Sequence, residues 1–235
     1  EPEMFLHPQM QRSLYKTIRE IGKTNQVIYI THSPNFVTIP EFDEIAIISK
    51  NENGTFAKKS IMKPDETLKN KFRKELNPDR NEMFFAKKIL IVEGDTEKMA
   101  FPEFANRMNV DFDKVGSSII EVGGKRNLVD FIELALSFNI PVGVVYDTDS
   151  SDFGGKREEE LAYNKILDAY TQVGVAVFTF SKNYEEELSK NYGNEVYLEY
   201  CQKYGRNKTQ RARLMAMDID IEIPKFVVPI IKWME

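Results

Sequence analysis

The sequence predicts an α/β protein: about four parallel strands flanked by helices, preceded by a smaller α/β segment and followed by more helices. Three observations carry that expectation. Two apolar runs, Ile89-Leu90-Ile91-Val92 and Val144-Val145-Tyr146, stop abruptly in carboxylates. Glu93 and Glu97 follow the first run, and Asp147 and Asp149 follow the second. Short runs rich in Ile, Leu and Val read as strands buried on both faces, as parallel strands are. Finally, stretches of helical spacing alternate with further apolar runs, which is the pattern of βαβ units.

The elements follow in order. Residues 9–21 place Leu14, Ile18 and Ile21 on one side of a helix. Val27-Ile28-Tyr29-Ile30 reads as a short buried strand ending at Thr31-His32-Ser33-Pro34. Residues 44–49 and 55–61 read as two strands, and the turn Asn51-Glu52-Asn53-Gly54 makes them a hairpin. Residues 63–81 are highly charged and contain Pro64 and Pro78, so they predict a connecting helix flanked by breaks and a domain boundary. Beyond it, strands are expected at 88–93, 118–122, 141–147 and 175–180. Helices are expected at 96–108, at 127–138 after Gly123-Gly124, at 156–170, and from the end of the 175–180 strand to the end of the sequence. The expected divisions are 1–62, a connector at 63–83, a sheet domain at 84–183 and a helical part at 184–235.

Composition narrows the class. Charged residues make up 29% and the hydrophobic set 42% of 235 residues, an ordinary globular balance. No apolar run reaches the length of a membrane span. The start, Glu1-Pro2-Glu3-Met4, carries no basic region, no apolar core of a signal peptide and no initiator Met, so the reading is a piece of a longer chain. The lone Cys201 excludes an internal disulfide framework, fits a reducing cytoplasm and is expected as a buried helix residue. A net charge of −5 argues against a general nucleic-acid binder. Its distribution softens that, because Lys203, Arg206, Lys208, Arg211 and Arg213 form a run without acids. A basic run with an acidic metal site elsewhere fits a phosphodiester substrate.

Carboxylates just past the C-terminal ends of parallel strands stand in the crevice where open α/β sheets hold ligands. Glu93, Glu97, Asp147 and Asp149 at one rim supply the oxygen ligands that hard cations such as Mg²⁺ or Mn²⁺ take. Gly94 permits a tight turn, Asp95 or Thr96 could cap the next helix, and Glu97 would lie in its first turn. The plain alternatives are a carboxylate complementing the helix dipole and an Asx turn after a strand. Lys125, after Gly123-Gly124, reads either as a phosphate contact or as cover for the sheet edge. Ser150 and Ser151 could add a ligand.

These residues carry a resemblance. Val92-Glu93-Gly94-x-Thr96-Glu97 with Asp147-x-Asp149, and Glu121-Val122-Gly123-Gly124 between them, resembles a Toprim domain over roughly residues 84–235. Upstream, Glu1-Pro2-Glu3-x-x-Leu6-His7-Pro8 resembles the end of a Walker B motif and the D-loop of an ABC-type ATPase. Thr31-His32-Ser33-Pro34 resembles its switch-histidine loop. The resemblance makes Glu1 and His32 nucleotide-site residues, positioning water and contacting the γ-phosphate. No G-x-x-x-x-G-K-[ST] loop and no ABC signature helix occur, so ATP hydrolysis by this chain alone is not expected.

An ABC-type ATPase running into Toprim resembles the OLD (overcoming lysogenization defect) family of nucleases, as does Asn81-Glu82-Met83-Phe84-Phe85-Ala86. The resemblance implies a DNA endonuclease that uses two divalent ions, Mg²⁺ or Mn²⁺, with a role in phage defence or DNA repair. ATP and a homodimer would belong to the full-length protein. Glu93 and Glu97 would serve one metal, and Asp147 and Asp149 the other. A Leu-Glu-x-x-Leu-like element is implied for a later ligand, and Tyr184-Glu185-Glu186-Glu187-Leu188 matches best, with Glu185 favoured and Glu187 the alternative. A Lys-Pro-x-x-Ala-like element is implied for a catalytic lysine, and Lys208-Thr209-Gln210-Arg211-Ala212 resembles it without the Pro. Lys208 would stabilise charge on the phosphate. Lys203, Arg206, Arg211 and Arg213 would contact the nucleic-acid backbone. The rival readings are another Toprim activity, primase-like or topoisomerase-like, and a non-catalytic binding module.

Overall fold

The computed structural model describes residues 1–63, 65–74, 78–148 and 157–235. They form two compact units, Glu1–Phe85 and Ala86–Glu235.

In the first unit, helix α1 (Pro8–Gly22) opens at Pro8, a residue whose fixed φ suits a first helical position. Strands β1 (Ala46–Asn51) and β2 (Gly54–Lys59) pair antiparallel with Ile48 opposite Ala57, which is the hairpin the sequence predicts. Helix α2 (Glu66–Lys74) is not a free connector. Its Phe72 packs edge-on against Phe42 at 6.3 Å, and Lys69 pairs with Asp43 at 2.6 Å. The charged stretch therefore closes the first unit rather than merely leaving it. The strand predicted at Val27–Ile30 is absent: the segment is extended without ladder partners among the described residues. Ile28 stays 85% exposed and Ile30 68% exposed. An apolar run forms a strand only where a neighbouring strand takes its N–H and C=O groups.

The second unit alternates as expected. Its elements are β3 (Lys88–Val92), α3 (Asp95–Arg107), the short α4 (Phe112–Val115) that the sequence reading missed, β4 (Ser117–Glu121), α5 (Leu128–Ser137), β5 (Val142–Asp147), α6 (Arg157–Ala169) and β6 (Ala176–Phe180). Four helices follow: α7 (Tyr184–Tyr192), α8 (Asn194–Tyr204), α9 (Lys208–Met217) and α10 (Val227–Met234). Among the described residues the sheet has four strands, all parallel, in the order β4-β3-β5-β6. The chain thus runs outward from β3 to β4, then crosses to β5 and β6 on the other side. That reversal places the topological switch point between β3 and β5, where such sheets hold ligands.

Both faces are covered. Leu90 and Val92 join Phe101, Phe104 and Ala105 of α3 in one core with Met215 of α9 and Ile230 and Ile231 of α10. Burying each large side chain of this kind contributes about 1.5–3 kcal/mol. The helices after residue 184 therefore complete the sheet's core. On the opposite face α5 lies on β3 and β5 and buries Leu128, Phe131, Ile132 and Ala135. Helix α10 is anchored at its end: Lys88 and Ser117, at the starts of β3 and β4, donate to the carbonyls of Trp233 and Met234. Cys201 lies in α8 but is only half-buried.

Gly143 in β5 makes room for Trp233. A Cβ there would sit 2.8 Å from Cζ3 of the indole, which Phe178 and Lys88 hold at 6.3 and 5.2 Å. Gly143→Ala is expected to destabilise the unit by about 1–3 kcal/mol, the usual effect of overpacking. The only tryptophan of the chain, Trp233, reports it through fluorescence in a urea titration.

Candidate active site

The carboxylates at the switch point are set by the backbone. β3 ends at Val92, Glu93 follows, and Gly94, with extended φ/ψ, precedes the first turn of α3. The helix is entered through Gly94 without a side-chain cap, so Asp95 and Thr96 are not its caps. Glu93 Oε1 accepts the backbone N–H of Asp147 at 2.8 Å, joining the ends of β3 and β5. The Glu93 carbonyl accepts the N–H of Gly124 at 2.8 Å. Gly123 and Gly124 have φ of 77° and 115°, conformations that favour glycine, so the Gly-Gly pair lets the β4–α5 turn fold back onto β3.

Glu97 sits in the first turn of α3 and is only 7% exposed. Burial pushes its carboxyl up to about 7, and the negative charges of Glu93, Glu185 and Asp95 add to the shift. A raised carboxyl is stabilising while protonated. Metal-free protein should therefore lose stability as pH rises from 4.5 through 7. Comparing melting temperatures at pH 5 and pH 8 for the wild type and Glu97→Gln isolates this group: the fall should be smaller in the variant. Equal falls would show that Glu97 is not the source.

Glu185, at the start of α7, pairs with Lys208 at 3.2 Å. Lys208 begins α9, whose N-cap Asn207 accepts the N–H of Gln210 at 2.9 Å. A cation in a first turn works against the helix dipole; here the facing carboxylate of Glu185 offsets that. Thr96 and Thr209 hydroxyls stand 3.5 Å apart, so the starts of α3 and α9 meet. Glu187 is turned elsewhere. Burial works against its ionisation, but the Ser181 hydroxyl and amide and Lys190 outweigh it and hold its carboxyl below the ordinary value. Of the two candidates only Glu185 faces Lys208 and adds to the charge felt by Glu97.

Lys125 is drawn inward rather than laid over the sheet edge. It is 9% exposed, and its ammonium donates to the Asp147 carbonyl, pairs with Glu160 at 3.5 Å and lies over the Tyr146 ring. Its contacts lie at the end of β5, beside Asp147 and Tyr146, rather than over the sheet edge. Arg211 is likewise corrected. It is 9% exposed and donates to the carbonyls of Gly205 and Arg206, so it holds the α8–α9 turn and is not free to follow a nucleic-acid backbone. Lys203 and Arg213 are exposed and pair with Asp218 and Glu103, both at 2.9 Å, and Arg206 is exposed. Asp149, Ser150 and Ser151 lie outside the described residues.

The donor set has the chemistry of a hard-cation site, because it is carboxylate oxygen throughout and its mutual repulsion is what a cation relieves. Among the described residues no three acidic, histidine or cysteine side chains close on one point. Glu93 is drawn to the Asp147 amide and Glu185 to Lys208.

In the first unit, Glu1 and His32 face each other at 3.4 Å, and Glu3 accepts the Thr31 hydroxyl at 2.7 Å and the His32 amide at 2.9 Å. The two upstream motifs are thus adjacent.

A parallel sheet with Glu-Gly and Asp ending its two switch-point strands defines a Toprim-type domain. Residues 84–149 match the family model of the Toprim domain of overcoming-lysogenization-defect-like proteins, and residues 1–37 match that of an AAA ATPase domain. In these segments the chain is similar to OLD-like Toprim proteins, with a match to an ATPase domain ahead of it. Its relatives include the OLD nuclease of Thermus scotoductus, 30% identical over 68% of this chain and 32% of the relative. Endonuclease GajA of Bacillus cereus is 24% identical over 95% of this chain and 39% of its own length. The chain spans about a third of the curated relatives it matches. The C-terminal region of the Burkholderia pseudomallei OLD protein aligns with 64% of this chain and 97% of its own, at 22% identity and a TM-score of 0.46. No helix among the described residues is long and apolar enough to cross a membrane.

Proposed function

We propose that the second unit is the cutting part of a divalent-metal-dependent DNA endonuclease. The observation that carries this reading is the joining of Glu93 to the Asp147 amide at the switch point, with buried Glu97 and the Glu185–Lys208 pair beside it. Glu93, Glu97, Asp147, Asp149 and Glu185 would hold two Mg²⁺ or Mn²⁺ ions. Such ions, when bound, lower the pKa of water for attack on a phosphodiester and stabilise the leaving oxygen.

The remaining chemistry belongs to the chain. Glu97, buried on a helix, offers a fixed carboxylate whose proton is displaced by a cation near neutral pH. Lys208 turns from Glu185 to the phosphate and offsets the charge that develops there. Arg206, Lys203 and Arg213, exposed on α8, α9 and the turn between them, give salt-dependent contacts to the DNA backbone. In the full-length protein Glu1 and His32 would complete a nucleotide site, dimerisation would run through the ATPase, and the nuclease would act in phage defence or DNA repair.

The experiment is incubation of this chain with supercoiled plasmid and Mg²⁺ or Mn²⁺, with and without chelator. Nicked or linear product that disappears with chelator is expected. Cleavage unaffected by chelator, or none with either ion, overturns the reading. A labelled-nucleotide incorporation assay on the same sample distinguishes a primase-like activity.

A further inference from the structure

Helix α6 grips the chain on both sides of Asp147. The residue before it, Tyr146, is buried; its hydroxyl donates to Asp168 Oδ1 at 2.7 Å and stands 3.4 Å from the Asn164 carbonyl. The residue after it, Thr148, has every polar group engaged. Its N–H donates to the Phe180 carbonyl at 3.0 Å, its hydroxyl donates to the Ser181 carbonyl, and its own carbonyl accepts Asn164 Nδ2 at 3.0 Å. Asn164 and Asp168 are four residues apart on α6, so one helix face makes these contacts. Asn164 is only 7% exposed, and its Oδ1 is buried without a hydrogen-bond partner. A buried polar atom without a partner costs stability, so native structures rarely keep one. A leucine has the same branching at Cγ and carries no such atom. What the amide adds is the bond from Nδ2 to the Thr148 carbonyl, and Thr148 stands between the two acids of Asp147-x-Asp149.

We propose that Asn164 is a positioning residue for the metal site: its amide holds the Thr148 carbonyl and so fixes the backbone from which Asp147 presents its carboxylate. The inference rests on the metal-site reading above. On the β3 side the ladder of β5 stops at Val144. Beyond it the Asp147 N–H is held by Glu93, itself a candidate ligand. Support that depends on no candidate ligand comes from Lys125 at the Asp147 carbonyl, from β6, and from Asn164 on α6. Groups that hold ligands in place from behind typically govern metal affinity by 10–100-fold.

The test compares the 235-residue chain with Asn164→Leu and with a control, Gly143→Ala, which strains β5 near its start. Mn²⁺ binding is read from the loss of the free-ion electron paramagnetic resonance signal, at a temperature where circular dichroism shows every sample folded. Asn164→Ala takes the place of Asn164→Leu if the leucine variant does not fold. Mn²⁺ binding weaker by about 10-fold or more in the Asn164 variant, with wild-type affinity in Gly143→Ala, is expected. Unchanged affinity in the Asn164 variant, whatever its melting temperature, gives Asn164 a role in the fold alone; it overturns the inference and leaves the nuclease reading intact. Equal weakening in Gly143→Ala also overturns it, because any disturbance of β5 would then suffice. No Mn²⁺ uptake by wild type removes both readings together.

Discussion

Glu93→Gln and Asp147→Asn are each expected to reduce metal-dependent plasmid cleavage by at least ~10²-fold with the fold retained. Both changes keep shape and remove one negative charge. In Glu93→Gln the new side-chain carbonyl oxygen could still accept the Asp147 amide, so the link between the ends of β3 and β5 survives. What is lost is the charge that attracts a hard cation, and amide oxygens are poor substitutes for carboxylates in a site of so few ligands. Outer groups that merely orient ligands already matter by 10–100-fold, so direct ligands should matter no less. Agarose-gel time courses with Mn²⁺ give the rates, and circular dichroism verifies the fold. Glu185→Gln and Glu187→Gln extend the test. The first should fall with Glu93→Gln, because Glu185 faces Lys208. The second should cut as wild type does and lose only stability, because Glu187 is committed to Ser181. Wild-type rates in Glu93→Gln and Asp147→Asn would end the metal assignment.

The sheet was legible because its strands are buried on both sides. Ile89–Val92 and Val142–Tyr146 are continuous apolar runs, and each expected strand of the second unit lies within about a residue of the observed one. Parallel strands must also end at one rim, so Glu93 and Asp147 could be placed together from sequence alone. Long-range contacts were not legible. Val27–Ile30 has the composition of a strand, but pairing is decided by whether a neighbour is present. Lys125 and Arg211 look like surface cations, and only tertiary structure reveals the carbonyls that take them inside. A signal existed for Lys125: a cation directly after two glycines sits on a turn that the glycines press against the sheet. Asn164 reads as one more polar residue of a helix, and nothing local tells of the Thr148 carbonyl it holds.

Lys125→Met is expected to cost about 2–3 kcal/mol of stability, below the usual loss for breaking a buried ion pair because one cation remains on the partner. That cation is Arg126, which also pairs with Glu160. Met keeps the apolar stem that packs on Tyr146 and removes only the ammonium. Two groups then lose a partner: the Asp147 carbonyl, which accepted the ammonium's hydrogen bond, and Glu160, whose side chain is 19% exposed. The effect should reach the site, since the lost hydrogen bond holds the residue that ends β5 and carries a candidate ligand. Cleavage should therefore fall along with stability, and Lys125→Arg should recover more of the stability than Met does. Pairing Lys125→Met with Glu160→Gln separates the contributions. If the ion pair dominates, the double variant loses less than the sum of the single losses. If the Asp147 carbonyl dominates, the losses add. Urea titration followed by Trp233 fluorescence measures the four variants against wild type, and a loss below about 0.5 kcal/mol in Lys125→Met would assign the ammonium to the surface.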